Sequence, residues 1–582
     1  MTMDDVALVL DGHSRAAVEV VQALGRLGVR VDVGVEAEEC AAFHSKYAHR
    51  KLRQPSPVSP DEFARWLRAR HEERSYTLIV AATESSLLSL RALPPDDPLR
   101  VKAVLPSNEA LDAALNKQTT WELARRLGVR VPDSVLIERL EAVPQVDSYP
   151  VILKPVSSKV IIDGRLVTLA PAVVRDDRER LSYLKRWLSH VAVQQQSYVY
   201  GHGVGVEFLY DRGRKVWHFA HERIHEYPLT GGGSTYRRSL WPAPQLLHAS
   251  EQVLNALAWH GVAMLEFKAE PDGGYCLMEI NPRLWGSLAL TIDAGVNFPL
   301  GVLRLACGMP PLPQPAYRRS YYTRYLPDDL VWLRENMRAE HGDALLLTRS
   351  RLMSVLEYCR PLIGRESWDH FDVRDLGVTR VLIRKIVSDH AGLLRAKAGA
   401  WMLARKARRR HRVIVSRSGP PVNSLLFLCH GNICRSPFAE QWAKRKLPEV
   451  RIASAGFHER GDRSPPGDIL AVAASMGVSL SHSRSKRVTR ALIDAADLIL
   501  VMDMQNYASL AREFPQALDR TTLLGFFASE ALANITDPYQ SAEEEIRRVF
   551  AQISVAVDGL SAWMERKRSP TGARTPYAGV SS

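Results

Sequence analysis

The sequence predicts a multidomain α/β protein, and three observations carry that expectation. At 582 residues the chain is too long for one domain, which typically takes about 100 to 200 residues. Residues 5–36 alternate an apolar strand (Val6 to Leu10), a helix-period segment (Ala16 to Leu27) and a second strand (Val29 to Val35), a β-α-β opening. Far downstream the apolar run Leu425 to Leu428 is followed by a short loop and by the helix opening Pro437-Phe438-Ala439-Glu440, with Pro437 in its first turn.

Composition bounds the rest. Hydrophobic residues at 46% and aromatics at 8% are ordinary globular values, so each domain can bury a core. Six scattered cysteines give no disulfide framework and suit a reducing compartment. The start MTMDDVALVL carries acids where a signal peptide has bases, and no run of 18 apolar residues occurs, so the expectation is a cytoplasmic protein that does not span a membrane. Pro-rich segments at Gly308 to Pro315 and Ser416 to Asn423 mark two joints. The expected domains are 1–110 (α/β), 111–315 (α+β), 316–421 (a helical basic connector), 422–566 (a C-terminal domain) and 567–582 (a disordered tail rich in Ser, Gly, Thr and Pro).

In the first domain the loop DGHSR lacks a full dinucleotide fingerprint, which argues against NAD. A nucleotide site is better sought at the hairpin GVAMLEFKAE, Pro271-Asp272-Gly273-Gly274, YCLMEINPR. A two-residue turn at Asp272-Gly273 places Glu266 directly opposite Glu279, and Asn281 shares the face of Glu279. Two like charges facing each other destabilise a sheet unless something bridges them. A divalent cation would do so, and Glu, Glu and Asn form an all-oxygen set suited to magnesium bound with phosphates. A solvated polar face, with Leu265, Phe267, Leu277 and Ile280 buried behind it, fits the pattern equally well. The loop LTGGGSTYRRS, with Gly231, Gly232 and Gly233, reads either as a phosphate cover or as a surface turn.

MEINPR, preceded by the Glu266 strand and by YPVILKP, resembles the ATP-grasp enzymes of the carboxylate-amine ligase type. The resemblance implies ATP held between two α+β subdomains, behind a pre-grasp α/β domain. It implies phosphate-binding lysines at Lys117 and Lys154, metal ligands at Glu266, Glu279 and Asn281, and Arg283 on phosphate or acyl phosphate. VQQQSYVYG is similar to the adenine hinge, so Gln196, Ser197, Tyr198 and Val199 would line the base, with Ser197 where the family usually has glutamate. The implied cofactors are ATP and Mg2+, with Mn2+ as a substitute, and the implied substrates are a small-molecule carboxylate and an amine.

Much of the formal charge of +13 lies in the connector. Arg405, Lys406, Arg408, Arg409, Arg410, Arg412 and Arg417 follow Leu393, Leu394, Trp401, Met402 and Leu403. Residues 393–417 thus read as a solvated linker, as an amphipathic helix on an anionic membrane surface, or, least favoured, as a nucleic-acid contact.

The most informative stretch is CHGNICRS, Cys429 to Ser436. Between a strand and a helix N-terminus, its backbone N–H groups converge on an anion, in a field that favours a nucleophilic thiolate. Arg435 adds a planar fork able to hold two phosphoryl oxygens. CHGNICRSP resembles the signature of the low-molecular-weight protein tyrosine phosphatases, whose fold is a parallel sheet with flanking helices. SAG (Ser454 to Gly456) and LILVMD (Leu498 to Asp503) resemble further family landmarks. The resemblance implies Cys429 as nucleophile, Arg435 on phosphate, Asn432 shaping the loop, Ser436 bonding the thiolate, and Cys434 as a reversible disulfide partner of Cys429. His430, Gly431 and Ile433 complete the phosphate loop. The family keeps its general acid in an Asp-Pro loop, here Asp537 in TDPY, with Tyr539 flanking an aromatic substrate. His482 fits the family's histidine only in a shifted register and receives no role.

The resulting expectation is a bifunctional enzyme that acts on a phosphotyrosine protein through a phosphocysteine, with no cofactor in that half, and ligates a carboxylate to an amine with Mg-ATP. The alternatives are a phosphoarginine phosphatase or arsenate reductase in the C-terminal half, and an ATP-sensing grasp half without turnover. Within the resemblance, Ile433 accompanies phosphotyrosine and a threonine there phosphoarginine; arsenate reductases relay oxidation to later cysteines, and none follows Cys434. Oligomeric state is not legible in the sequence.

Overall fold

The computed structural model describes residues 5–568 except 57–58, 157–158, 163–164, 418–419, 531, 533 and 540, with backbone alone for 159–162, 165–168, 393–394 and 396. It forms two compact units, Met1–Ser388 and Asp389–Ser582.

The first unit opens with strands β1 (Val6–Val9), β2 (Arg30–Val35), β3 (Ala48–Arg53) and β4 (Leu78–Val80) in a parallel sheet of order β3-β2-β1-β4. Ser14 starts the intervening helix Arg15–Arg26 by accepting from the N–H of Ala17 at 3.1 Å. Apolar residues fill both faces of β1, as a parallel strand covered on both sides requires.

A second sheet follows: β5 (Ser134–Ile137), β6 (Val151–Pro155), the separate pair β7 (Lys159–Ile162) and β8 (Arg165–Thr168), then β9 (Ala172–Val174) and β10 (Val193–Ser197), ordered β5-β10-β6-β9 and antiparallel. One face buries Ile137, Val151, Leu153 and Val193 with Leu184 and Trp187 of the helix Asp177–Trp187. The register sets Lys154 against Gln194 and Ile152 against Gln196, so these four share the opposite face.

The third sheet has seven strands: β11 (His202–Asp211), β12 (Arg214–Tyr227), β13 (Gly233–Leu240), β14 (Gly261–Ala269), β15 (Tyr275–Asn281), β16 (Tyr322–Arg324) and β17 (Glu366–Trp368), in the order β15-β14-β11-β12-β13-β16-β17. Glu266 does stand opposite Glu279, but not through a two-residue turn. Ala269 pairs with Tyr275, and a three-residue turn closes on Gly273, whose φ of +86° favours glycine. A bulge at Met278, whose carbonyl accepts from Trp121 Nε1 at 3.1 Å, then restores the register one pair further on. The two departures cancel. Leu265, Phe267, Leu277 and Ile280 form the buried side.

The stretch expected to begin a helical connector at 316 instead completes this sheet with β16 and β17, and the first unit continues to Ser388. Part of its charge lies inside. Buried Arg324 pairs with Asp329 and, at 2.8 Å, with Glu366, while His225 lies 2.8 Å from Asp329 and 2.9 Å from Glu357. The Pro-rich segment near 312 packs along β12, where Trp217 Nε1 donates to the carbonyls of Leu312 and Pro313. Three-residue strands are too short for sequence alternation to reveal.

One helix runs from Leu376 to Ser416. In the second unit Leu403, Ala407, Ile414 and Val415 pack into its cores, while Trp401 and Met402 remain exposed; Leu393 and Leu394 lie outside the described side chains. No single described helix is long and apolar enough to cross a membrane. The second unit is a parallel sheet of β18 (Ser424–Cys429), β19 (Arg451–Gly456), β20 (Leu498–Val501) and β21 (Thr521–Leu523), ordered β19-β18-β20-β21 with flanking helices. Its last helix, Glu543–Arg568, runs past the expected tail boundary, and 569–582 lie outside the described residues.

Candidate active sites

Cys429 ends β18, the strand from which the chain crosses to β19 on one side and β20 on the other. In open parallel sheets this switch point, outside the carboxyl ends of the strands, is where ligands bind. The thiol is buried, and its Sγ accepts from the N–H of Asn432 at 3.2 Å and lies 3.0 Å from Ser436 Oγ. Asn432 holds the loop in the left-handed conformation (φ +52°), which asparagine tolerates better than most side chains. Its amide is fully used: Nδ2 donates to Ser436 Oγ and Ser454 Oγ, both at 2.9 Å, and Oδ1 accepts from the N–H of Lys486 at 2.7 Å. Gly456 lies against the loop, where a β-carbon would come within 2.7 Å of the His430 carbonyl.

Arg435 begins the helix Arg435–Lys446, with its side chain 1% exposed. Nη1 donates to Asp503 at 2.6 Å and to the Ile535 carbonyl at 2.9 Å, and Nη2 donates to Asp537 at 2.5 Å. Burial works against its charge, but Cys429, Asp537 and Asp503 outweigh this and raise its pKa. Asp537 keeps 43% of its side chain exposed, and Tyr539 beside it is exposed. Burial, reinforced by Asp537 and Cys429, pushes the Cys434 thiol upward. Ile433 is buried, His430 is exposed with its ring 5.7 Å from that of His458, and the Gly431 carbonyl accepts from Arg463 at 2.8 Å. Asp503, Ser454 and Arg463 were not read as site residues; only the landmarks SAG and LILVMD hinted at the first two.

The description "Low molecular weight phosphotyrosine protein phosphatase" matches residues 424–570. The low molecular weight protein-tyrosine-phosphatase Etp of Escherichia coli K12 is 35% identical over 136 residues, 23% of this chain and 89% of that protein. The chain belongs to this phosphatase family. The crystal structure of the Erwinia amylovora tyrosine phosphatase AmsI is 34% identical, covering 25% of this chain and 93% of that one, with a TM-score of 0.24.

Outside the phosphatase domain, a second set of polar side chains converges on the β14–β15 hairpin. Asn281 Nδ2 donates to Glu266 at 3.1 Å and Glu279 at 3.3 Å, and its Oδ1 accepts from Arg283 at 3.3 Å. Lys117, at the start of the helix Lys117–Arg126, reaches Glu279 at 2.6 Å, and Arg223 of β12 reaches Glu266 at 2.5 Å. Burial opposes the charge of Glu279, but Lys117 prevails and holds its pKa low. Burial and Lys117 push Lys154 down to about 8. Arg223 and Lys268 were missed, because polar residues on a strand look solvated until the sheet is assembled. Both lie beside the glycine loop: Arg223 Nη1 donates to the Gly232 carbonyl at 3.0 Å, and a β-carbon on Gly231 would stand 3.7 Å from Lys268 Nζ.

On the second sheet Gln196 shares its face with Lys154, and both atoms of its buried amide lack a hydrogen-bond partner. An orphaned donor and acceptor side by side fit the edge of a nucleobase. Ser197 pairs with Asp133, donating its N–H at 2.8 Å and accepting at Oγ at 3.1 Å. Tyr198 packs edge-on against Tyr200 with centroids 4.8 Å apart, and Val199 is half-buried. The donor set also fits a divalent cation: two carboxylates on adjacent strands, both hard ligands, joined by the Asn281 amide oxygen once its side chain turns from Arg283 toward them.

The description "ATP-grasp in the biosynthetic pathway with Ter operon" matches residues 196–326. The first unit therefore carries an ATP-grasp domain, a fold that uses ATP with a divalent metal. The crystal structure of an L-amino acid ligase from Bacillus licheniformis is 15% identical, covers 54% of this chain and 76% of that one, and has a TM-score of 0.41.

Proposed function

We propose that the chain is a bifunctional enzyme: a phosphotyrosine phosphatase working through a phosphocysteine, and a Mg-ATP-dependent carboxylate-amine ligase. The observation that carries the first half is the convergence of Cys429, Arg435 and Asp537, with Asp537 on the same guanidinium that would hold the phosphoryl group. Cys429 Sγ attacks phosphorus as the bond to the tyrosyl oxygen breaks, and Asp537 gives that oxygen its proton. Water then attacks the phosphocysteine, Asp537 takes its proton, and inorganic phosphate leaves with the thiolate restored. Arg435 and the loop N–H groups hold the equatorial oxygens throughout. Ile433 and the exposed Tyr539 favour a flat aromatic ester over phosphoarginine.

In the ligase half, Glu266, Glu279 and Asn281 would hold magnesium, Lys117, Lys154 and Arg283 the phosphates, and Gln196 to Val199 the base. Mg-ATP would supply the phosphoryl group that activates a carboxylate as an acyl phosphate, leaving ADP; an amine would then attack the acyl carbon, forming the amide and releasing inorganic phosphate and the amine's proton. The test is direct. Purified full-length protein is assayed with phosphotyrosine and phosphoarginine peptides, and magnesium-dependent ATP binding is followed by calorimetry. Turnover of phosphoarginine alone would remove the first assignment; ATP binding indifferent to magnesium would remove the second.

A further inference from the structure

A polar cavity of about 260 Å³ lies among the helix Arg15–Arg26, the helix Leu288–Ala294 and the segment 367–374 of the first unit. Four carboxylates line it: Glu19, Asp293, Asp369 and Asp372, the last of them spent on Arg26, which lines the cavity too, at 2.7 Å. Asp369 spends one oxygen on Arg237; its other oxygen is buried without a hydrogen-bond partner, as is Nε1 of Trp368, which also lines the cavity. An unpaired carboxylate oxygen in a side chain only 1% exposed is costly unless a donor reaches it.

The carboxylates crowd one another. Burial, then Asp369 and Asp293, push Glu19 up to about 8, against the opposing charge of Arg26 on its own helix and the N–H of His370. Burial and Asp369 likewise raise Asp293, although Ser367 donates to it. His370 adds no charge, since burial pushes it down to about 4. The cluster therefore favours a cation. It is not built for a metal ion, because no three His, Cys, Asp or Glu side chains among the described residues converge closely enough to hold one. Its walls suit an organic ammonium, because two aromatic side chains, Trp368 and Phe371, meeting edge to face at 5.4 Å, line the cavity with the carboxylates. The same cavity carries Arg318, stacked 3.9 Å from the Tyr321 ring, and Arg374, which supply the opposite charge.

We propose that this cavity binds a free amino acid, its ammonium group among Glu19, Asp293 and Asp369 and its carboxylate on Arg318 and Arg374. The site is separate from the ATP-grasp cleft and does not depend on that reading. Asp369 nevertheless holds Arg237, which pairs across β12 and β13 with Arg223, the partner of Glu266.

The experiment titrates the full-length protein, without nucleotide, with each of the twenty L-amino acids by calorimetry at neutral pH. At least one should bind with a Kd below about 1 mM, and its α-carboxamide about tenfold more weakly. Asp293→Asn and Arg318→Gln should each weaken binding by about tenfold or more, while Glu279→Gln in the ATP-grasp cleft should leave it unchanged. Arg318 is exposed, so its variant keeps the test decisive even where Asp293→Asn costs stability. The proposal is overturned if no amino acid binds, if binding survives both cavity variants, or if it is lost in Glu279→Gln and retained in Asp293→Asn.

Discussion

The phosphatase loop and the ATP-grasp cleft solve one problem, holding phosphate, with opposite logic. The loop is local: eight consecutive residues from Cys429 to Ser436 supply the nucleophile, the amides and the arginine. Only carboxylates are imported, and Asp503 and Asp537 both sit on Arg435. The cleft is assembled from separate elements. Lys117, Lys154, Gln196, Arg223, Glu266 and Glu279 come from one helix and five strands, and there cations are imported to balance a carboxylate pair. A phosphoryl group on Arg435 must compete with Asp537; magnesium on Glu266 and Glu279 must compete with Arg223 and Lys117. A local site stakes its chemistry on one residue, whereas an assembled site spreads it.

Replacing Cys429 tests the first part of that contrast and carries the largest expected effect. Cys429→Ser should lower p-nitrophenyl phosphate turnover by about a hundred-thousandfold or more. Vanadate should still bind, since Arg435 and the loop amides remain. Retained turnover would mean that another nucleophile operates.

Asp537→Asn comes next. Loss of a general acid costs about 100- to 10,000-fold, and the loss should be greater on phosphotyrosine peptides than on nitrophenyl phosphate, whose leaving group needs a proton less. The structure adds a second expectation. Because Asp537 occupies Nη2 of Arg435, removing its charge should tighten competitive inhibition by inorganic phosphate severalfold. A loss below tenfold on peptides, with phosphate inhibition unmoved, would point to a different acid.

The cleft should behave otherwise. Glu266→Ala and Glu279→Ala should each weaken magnesium-dependent ATP binding by about ten- to a hundredfold, and leave nitrophenyl phosphate turnover untouched. Both would serve one ion, so the double variant should cost little more than the worse single one. Additive losses in calorimetry would favour the plain polar face that the hairpin pattern also allows.

Legibility in the sequence followed the same division. The strand, loop and helix around Cys429 were readable because their residues are contiguous and each type has one mechanical reason to be there. The facing of Glu266 and Glu279 was readable too, although by compensation: the turn is one residue longer than two, and the bulge at Met278 returns the register. The spacing of three between Leu277 and Ile280, both buried, was the visible trace of that bulge, since an unbroken strand buries every second residue. Arg223 stayed hidden because its partner Glu266 lies on another strand 43 positions away. Arg324 was misjudged as part of a basic connector; buried carboxylates from Asp329 and Glu366 cancel its charge, and formal charge alone cannot show that. Asp503 escaped because it acts through Arg435, and no spacing rule joins them.

The smallest effect concerns Lys154, and it separates nucleotide binding from folding by sign. Burial and the neighbouring Lys117 hold its pKa at about 8, well below an ordinary lysine, so it is charged below that pH and neutral above it. Phosphate oxygens favour the charged form, and Mg-ATP affinity should therefore fall as pH rises from 7 to 9, by up to about tenfold. Stability should move the other way. A folded-state pKa below the unfolded one means that the unfolded chain binds more protons between about 8 and 10.5, so the contribution of Lys154 to stability rises with pH across that window. Lys154→Arg, charged at every accessible pH, should flatten the affinity profile. Calorimetric titrations at pH 7, 8 and 9 on both proteins decide the matter: parallel profiles would remove Lys154 from the phosphate site while leaving its burial explained.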